Sequence, residues 1–245
     1  MIIYRILSAL LSYPEAELIG ALPEIETALD ETPEIRTQLQ PLIDHLRSHD
    51  LIALQEAYVA DFDRSRHNSL YLFEHIHGES RDRGDALLDL LREYQRHGFE
   101  PDDRPGSACE MPDYLPLFLE FLSTRDEETA ANWLASVAHI LLLLAERLRK
   151  RQAWEADLFD ALLVIAGAEL ADDRLQAQVA AEEDDSSLTT LDRSWEDKEI
   201  RFDGLDVADD CETAQVITAT PGEPAPTAAP VRHTPEKNEV HHEHP

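Results

Sequence analysis

Residues 133–148 read WLASVAHILLLLAERL, and this stretch decides the fold class. Its apolar side chains recur with the period of an α-helix. The positions that carry this period are Trp133, Val137, Ile140, Leu141, Leu144 and Leu148. Because this helix is apolar on much of its circumference, we predict one long, central helix, capped at its start by Thr124 or Asp126.

The same spacing recurs on the N-terminal side of this stretch. It is found in residues 51–62, 87–94 and 115–122, whereas no comparable stretch alternates apolar and polar residues as a strand would. We therefore predict an all-α fold, with a single helical-bundle domain of short and medium helices over residues 1–170.

The helix that follows Asp113 is apolar on two sides. Asp113 should cap its first turn. Leu117 and Phe121 lie off the main apolar stripe of this helix, and Glu120 lies between the two faces. The pattern leaves two interpretations open: a buried central helix, or one wall of a hydrophobic groove for a partner peptide with acids at its rim.

The composition is strongly acidic. Of 245 residues, 51 are Asp or Glu and 21 are Lys or Arg, which gives a formal net charge of −30. This charge disfavours nucleic-acid binding, which depends on basic side chains that displace counterions from phosphates, and suits a basic partner. The chain has two cysteines, Cys109 and Cys211, which are far apart and form no disulfide scaffold, and this fits a reducing compartment. We expect a soluble, cytoplasmic protein without membrane insertion, since no apolar stretch reaches the ~20 residues that span a bilayer.

Residues 171–245 differ in composition from the helical part. They are dominated first by Asp and Glu and then by Pro, Ala and Thr, so we predict a largely disordered C-terminal tail. Within it, residues 191–202 read LDRSWEDKEIRF, where aromatic and aliphatic residues interrupt the charges. This island is either a short motif that docks on a partner or an incidental Trp in a disordered tail.

Histidines and carboxylates are concentrated in residues 61–83. On a continuous helix His75 and Glu79 share a face, whereas His75 and His77 point to nearly opposite sides. The cluster is compatible with a metal-dependent hydrolase that uses His75 and His77, but ion pairing and capping explain the same residues. We favour the second interpretation and predict no metal site, because the common catalytic and phosphate-binding motifs are also missing.

Four stretches of the sequence together resemble the NarJ-type nitrate reductase assembly chaperones, within the superfamily of TorD- and DmsD-like redox enzyme maturation proteins. They are residues 7–14, LSALLSYP; 58–63, YVADFD; 72–84, LFEHIHGESRDRG; and 111–122, MPDYLPLFLEFL. The resemblance covers roughly residues 1–170, and the island at 191–202 is similar to the acidic, Trp-containing extension of that family. Tyr114 is a departure, because many relatives have histidine there.

The resemblance implies a dedicated chaperone and not an enzyme. Such proteins have no cofactor of their own and bind the apo catalytic α subunit of membrane-bound respiratory nitrate reductase through its N-terminal segment. They keep this subunit competent for molybdenum cofactor insertion, which also implies contact with cofactor delivery proteins. A chaperone for a different molybdoenzyme is the nearest alternative.

A basic, apolar peptide would fit a groove with apolar walls and an acidic rim. The candidate wall residues are Tyr58, Phe62, Tyr114, Leu117 and Phe121. The candidate rim residues are Asp61, Glu74, Glu79, Asp113 and Glu120. His75 and His77 complete the candidate peptide-binding set, because imidazole titrates near neutral pH and could tune the affinity.

Overall fold

The computed structural model describes residues 1–78, 80, 82–101, 110–168, 170 and 172–187, all within one unit of the chain, Met1–Glu196. The helices are α1 (Ile2–Leu11), α2 (Ala16–Leu29), α3 (Pro33–Ser48), α4 (Leu51–Tyr58), α5 (Leu72–His77), α6 (Asp82–Arg96), α7 (Leu115–Ser123), α8 (Glu127–Ser136), α9 (Ala138–Lys150), α10 (Ala156–Ile165) and α11 (Asp173–Ala181). A π-helical turn, Val59–Asp63, continues α4. The described residues contain no β-strand, and the all-α prediction is confirmed.

The core lies between α1, α7, α9 and α10. α1 packs along α7, while α10 packs on both α9 and α3. The spacing of Tyr4, Leu7 and Leu11 puts all three side chains on one face of α1, where they are fully buried. The Ser8 hydroxyl donates to the Pro116 carbonyl oxygen at 2.8 Å, which satisfies a buried polar group between α1 and α7.

The predicted central helix is broken at Val137. The chain forms α8 and α9 there, bent by 64°, so the prediction of one long helix is wrong. Next to the break, the Ser136 hydroxyl donates to the Trp133 carbonyl oxygen at 2.6 Å, a local bond that competes with the helical ladder. On the two sides of the bend, Leu134 in α8 and Leu141, Leu144 and Leu148 in α9 are fully buried. Of the two proposed caps, Asp126 is the one whose side chain accepts from the first turn of α8, at the Thr129 amide.

Helical structure continues past the predicted domain boundary at residue 170. Residues 172–187 form α11 and a turn, and α11 packs on α9. The Asp172 side chain caps α11, and Val179 is buried. The rest of the predicted tail, including the island at 191–202, lies outside the described residues.

Among the described helices, no single helix meets both requirements of a bilayer span, sufficient length and an apolar composition. The pair α8 and α9 meets them only when both helices are counted together across their 64° bend.

Candidate functional site

Two of the stretches that carry the family resemblance meet in space. Tyr71 and Tyr114 form an isolated antiparallel bridge. Around it, the Leu72 amide donates to the Asp113 carbonyl oxygen at 3.0 Å, and the Leu115 amide donates to the Leu70 carbonyl oxygen at 2.9 Å. The bridge joins the entrance of α5 to the entrance of α7, so side chains from both stretches line the same surface.

Asp113 stabilises this junction. It was predicted to cap α7, but its carboxylate accepts instead from the Phe73 amide in the first turn of α5, at 3.0 Å. The prediction is wrong because the bridge brings Asp113 to the unpaired amides of a helix that lies earlier in the sequence. Burial raises the pKa of the Asp113 carboxyl, against the opposing effects of the Phe73 amide and nearby Arg83.

The bridge forms one edge of a pocket of about 310 Å³, which we call the aromatic pocket. Tyr58 and Phe62, on α4 and the π-helical turn, pack with ring centroids 4.9 Å apart. The Tyr13 ring meets Tyr58 edge-on at 5.5 Å, and the Tyr71 and Tyr114 rings lie 5.3 Å apart. The remaining lining residues are Asp63, Ser69, Leu70 and Glu110.

Three of the four tyrosines that line the aromatic pocket, Tyr58, Tyr71 and Tyr114, have hydrogen-bonded hydroxyls. The Tyr58 hydroxyl donates to the Leu11 carbonyl oxygen at 3.2 Å and lies 3.4 Å from the Tyr114 hydroxyl. The Tyr71 hydroxyl donates to a Glu110 carboxylate oxygen at 2.8 Å. Burial is the largest cause that raises the pKa of all three hydroxyls, so these tyrosines are neutral hydrogen-bonding groups at physiological pH.

A second concave surface, the α1–α2 groove, adjoins the aromatic pocket through Tyr13, which lines both. The groove has a volume of about 560 Å³ and an apolar floor that includes Ile6 and Leu18. Its acidic residues are Glu15, Glu17 and Glu120, and all three are exposed. Arg5 also lines the groove. Apolar walls with an acidic rim therefore extend along α1 into the aromatic pocket, where Asp63 and Glu110 add two more carboxyl groups.

The structure brings three of the predicted wall residues together and separates the other two. Tyr58, Phe62 and Tyr114 line the aromatic pocket. Leu117 is half-buried and lines neither the pocket nor the groove. Phe121 is fully buried, so its prediction as a wall residue is wrong. At Phe121 the second apolar face of α7 packs into the core, which is the other interpretation that the sequence allowed.

The predicted rim residues are scattered. Asp61 pairs with Arg151 at 2.8 Å, and Glu74 pairs with Arg83 at 3.1 Å, so both carboxylates are already engaged. Asp113 is fully buried and cannot form part of a rim. Glu120 lines the α1–α2 groove, as a rim residue would. Glu79 lies outside the described residues.

The two histidines differ in their surroundings. His75 Nε2 lies 2.8 Å from the Ser69 carbonyl oxygen, and burial lowers the pKa of its imidazole. His77 packs edge-on against Phe73, with ring centroids 5.8 Å apart. Among the residues that the model describes, no group of three or more His, Cys, Asp or Glu side chains is arranged to hold a metal ion. Cys109 falls outside those residues.

Several lining residues escaped the sequence reasoning. Tyr13 is the next-to-last residue of the first quoted family stretch, and Asp63 ends the second, so their positions in these stretches were the available signal. Tyr71 directly precedes the third stretch. Glu15, Glu17 and Glu110 carried no local signal, because acids occur throughout this chain.

Similarity to known proteins extends over most of the chain. Residues 28–160 match the family model described as nitrate reductase delta subunit. The probable nitrate reductase molybdenum cofactor assembly chaperone NarW of Escherichia coli (strain K12) is 43% identical over 206 residues, which cover 82% of this chain and 84% of that protein. The nitrate reductase molybdenum cofactor assembly chaperone NarJ of the same strain is 38% identical over 206 residues, with coverage of 82% and 85%. The probable NarJ chaperone of Bacillus subtilis (strain 168) is 35% identical over 164 residues, with coverage of 66% and 86%.

Proposed function

Because the chain belongs to the nitrate reductase delta subunit family, which includes the NarJ-type assembly chaperones, we propose that it binds the N-terminal segment of the apo catalytic α subunit of respiratory nitrate reductase. The bound subunit is kept competent for molybdenum cofactor insertion, and binding takes place in the cytoplasm. Cofactor delivery proteins are the second class of partner in this proposal. The chain itself performs no catalytic step.

One observation supports our choice of the binding site: Tyr13 lines both the aromatic pocket and the α1–α2 groove. Its side chain is 42% exposed, so a ligand can reach it without any unfolding. A peptide that passes over Tyr13 can bury apolar side chains in both cavities. This surface is the place to which we assign the client peptide.

The charges around this surface favour a basic peptide. Glu15, Glu17 and Glu120 border the groove, and the carboxyls of Asp63 and Glu110 border the pocket. Carboxylates at a rim raise the association rate of a cationic ligand and fix its orientation more than they add affinity. Binding should therefore weaken as salt increases, because exposed charges are screened within about 8 Å at physiological ionic strength.

Charge reversal at the groove tests the proposal. We would titrate a synthetic peptide with the α-subunit N-terminal sequence into the full chain by calorimetry. In the double variant Glu17→Lys with Glu120→Lys, affinity should fall by about tenfold or more, because each substitution places a positive charge beside a positive ligand. Both residues are exposed, so the fold should be unaffected.

The matched control is the double variant Glu24→Lys with Glu56→Lys. It makes the same change in net charge at two exposed acids that line neither cavity. Its affinity should stay within about threefold of the parent protein, because exposed charges outside the lining of the cavities are screened by water and salt. Equal losses in both variants would mean that only the overall charge matters, and the groove assignment would then be abandoned.

Two alternative functions receive less support. A metal-dependent hydrolase would need His75 and His77 free to coordinate a metal, yet the His75 ring is half-buried and bonded to the Ser69 carbonyl oxygen. A chaperone for another molybdoenzyme would use the same kind of surface, but the relatives reported above are described as nitrate reductase assembly chaperones. Titration of N-terminal peptides from several molybdoenzymes into this chain would rank the clients directly.

A further inference from the structure

Residues 182–186 follow α11 and lie across a basic cleft; we call this segment the acidic strap. The cleft has a volume of about 190 Å³. Its basic side chains are Arg147, Lys150 and Arg151, from the C-terminal end of α9 and the turn after it. The opposite side of the cleft is formed by residues 65–68, which follow the π-helical turn.

Each basic side chain of the cleft binds the strap or the end of α11. Arg147 forms a two-point ion pair with the Glu182 carboxylate, at 2.8 and 2.7 Å. Lys150 Nζ donates to the Val179 and Glu182 carbonyl oxygens at 2.8 and 2.6 Å, which satisfies groups at the C-terminal end of α11. Arg151 donates to Asp184 at 2.9 Å. Two-point Arg–carboxylate pairs are among the strongest polar contacts in proteins.

Asp185 contacts the segment that connects the second and third family stretches, residues 58–63 and 72–84. One of its carboxylate oxygens accepts from the Ser65 hydroxyl at 2.7 Å, and the other accepts from the His67 amide at 2.9 Å. The Ser65 oxygen in turn accepts from the Asn68 amide at 3.2 Å. Arg147 binds the same segment, because it also donates to the His67 carbonyl oxygen at 2.6 Å.

The segment that Asp185 binds continues directly into the wall of the aromatic pocket. Residues 64–71, which we call the pocket loop, contain the Asp185 contacts at one end and Ser69, Leu70 and Tyr71 at the other. Asn68 anchors the middle of the loop through its side-chain amide, which donates to the Asp61 carbonyl oxygen at 3.0 Å. Asn68 is linked to both ends of this arrangement, because its backbone amide donates to Ser65, which Asp185 holds, and the residue after it, Ser69, lines the pocket.

We propose that Asp185 is a positioning residue: the acidic strap clamps the pocket loop to the basic cleft and thereby sets the geometry of the aromatic pocket. Residues 182–186 act in cis, as a built-in ligand of the cleft. The effect on client binding rests on the function proposed above, whereas the effect on the pocket loop does not. The two parts can therefore be tested separately.

The first test uses the free full-length chain without any client. In Asp185→Asn, amide hydrogen exchange at His67 and Leu72 should become about tenfold faster or more, because the loop loses a charged acceptor for two donors. The Tyr71 and Tyr114 ring resonances should shift in NMR spectra, while global stability in urea changes little. The conservative variant Asp185→Glu, which keeps a carboxylate, should restore much of the protection.

Glu56→Gln is the matched control, since it removes one negative charge from an exposed acid that does not line the cleft. If the exchange rates and ring resonances in Asp185→Asn match this control, the clamp does not exist, whatever the client is. If Asp185→Asn loosens the loop and also weakens client-peptide binding, the clamp sets the pocket. If the loop loosens while affinity is unchanged, the clamp does not set the pocket. Failure of the parent protein to bind the peptide would instead count against the proposed function.

Discussion

Helix α7 begins beside one aromatic cluster and ends inside another. Tyr114, at its entrance, belongs to the aromatic pocket, where it faces Tyr58 and Tyr71. Phe121, in its last turn, belongs to the core, where its ring lies 4.5 Å from Tyr94 and 5.4 Å from Trp133 by centroid distance. The first cluster lines an accessible pocket, whereas in the second Tyr94 and Phe121 are fully buried beside the half-buried Trp133.

The difference between the clusters lies in where polar atoms can be satisfied. The pocket tyrosines line an open cavity and bond through their hydroxyls, Tyr58 to the carbonyl oxygen of the buried Leu11 and Tyr71 to the carboxylate of Glu110. Phe121 has no polar atom and can be buried completely. Tyr94 is the exception in the core, and its hydroxyl is satisfied by the Pro112 carbonyl oxygen at 2.8 Å. Aromatic residues of one short helix can thus serve binding at one end and stability at the other.

The largest expected effect comes from the core cluster. Phe121→Ala should lower the free energy of unfolding by about 3–5 kcal/mol, since it removes a fully buried ring and leaves a cavity. Urea unfolding followed by circular dichroism measures this change. Affinity for the client peptide, measured at a temperature where the variant is folded, should stay close to that of the parent protein. A large loss of affinity in the folded variant would contradict the division of roles between the two clusters.

Glu155, whose charge acts on Tyr58 of the aromatic pocket, should contribute a pH dependence of stability. Burial raises the pKa of Glu155 to about 7. Burial is also the largest cause that raises the pKa of Tyr58, followed by the effects of Tyr114, Asp63 and, last, Glu155. Between pH 4.5, the ordinary pKa of this carboxyl, and pH 7, the folded state holds more protons than the unfolded state. The free energy of unfolding should therefore fall as the pH rises through this range.

The variant Glu155→Gln tests this linkage, because it keeps the shape of the protonated acid. The free energy of unfolding of this variant, relative to that of the parent protein, should rise by about 2 kcal/mol from pH 4.5 to pH 8. This figure is reduced to allow for the partial exposure of Glu155. Urea unfolding at the two pH values gives the difference. Glu56→Gln, at an exposed acid, should change stability by less than about 0.5 kcal/mol at both. A parallel pH dependence in Glu155→Gln and the parent would show that Glu155 is not the titrating group.

A change at Tyr13 should affect binding more than stability. Tyr13→Ala removes an exposed ring that lines both cavities, so affinity for the client peptide should fall by about tenfold. Calorimetry measures the affinity, and urea unfolding should show a loss of no more than about 1 kcal/mol. Ile52→Ala is the control, because Ile52 is also an exposed apolar residue, at 68%, but lines neither cavity. Equal affinities in the two variants would argue against the assigned surface.

The smallest effect is expected for Tyr58→Phe. This substitution keeps the ring in place and removes the hydroxyl that bonds the Leu11 carbonyl oxygen, at a cost of about 1 kcal/mol in unfolding free energy. The corresponding change in the core, Tyr94→Phe, should cost a similar amount, because it also leaves a carbonyl oxygen without its donor. Urea unfolding of both variants compares the clusters directly. A cost near zero for both would mean that water replaces the lost donors.

The sequence predicted the helices well because their signal is local. The period of apolar residues identifies α4, α6, α7 and α9, and it does not depend on the rest of the chain. The break at Val137 was missed because both halves keep the same period across it. Two features accompany the bend. One is the local hydrogen bond of the Ser136 side chain, and the other is the burial of both helices, which depends on tertiary packing.

The candidate site was harder to predict because its residues are brought together by long-range contacts. Tyr58, Phe62 and Tyr114 were found because they lie in recognisable stretches. Asp113 was assigned to the wrong helix, since the bridge that pairs it with α5 spans distant parts of the chain. Asp185 binds Ser65 across 120 residues of sequence, a contact that no local pattern could predict.

The central claim is that the client peptide passes over Tyr13, and photo-crosslinking tests it most directly. The photoreactive residue p-benzoylphenylalanine would replace Tyr13 in the full chain, with the exposed Ile52 as the control position. Irradiation with the synthetic N-terminal peptide of the catalytic subunit should give a covalent adduct at position 13 that unlabelled peptide suppresses, and little adduct at position 52. No adduct at position 13, or equal adducts at both positions, would contradict the account.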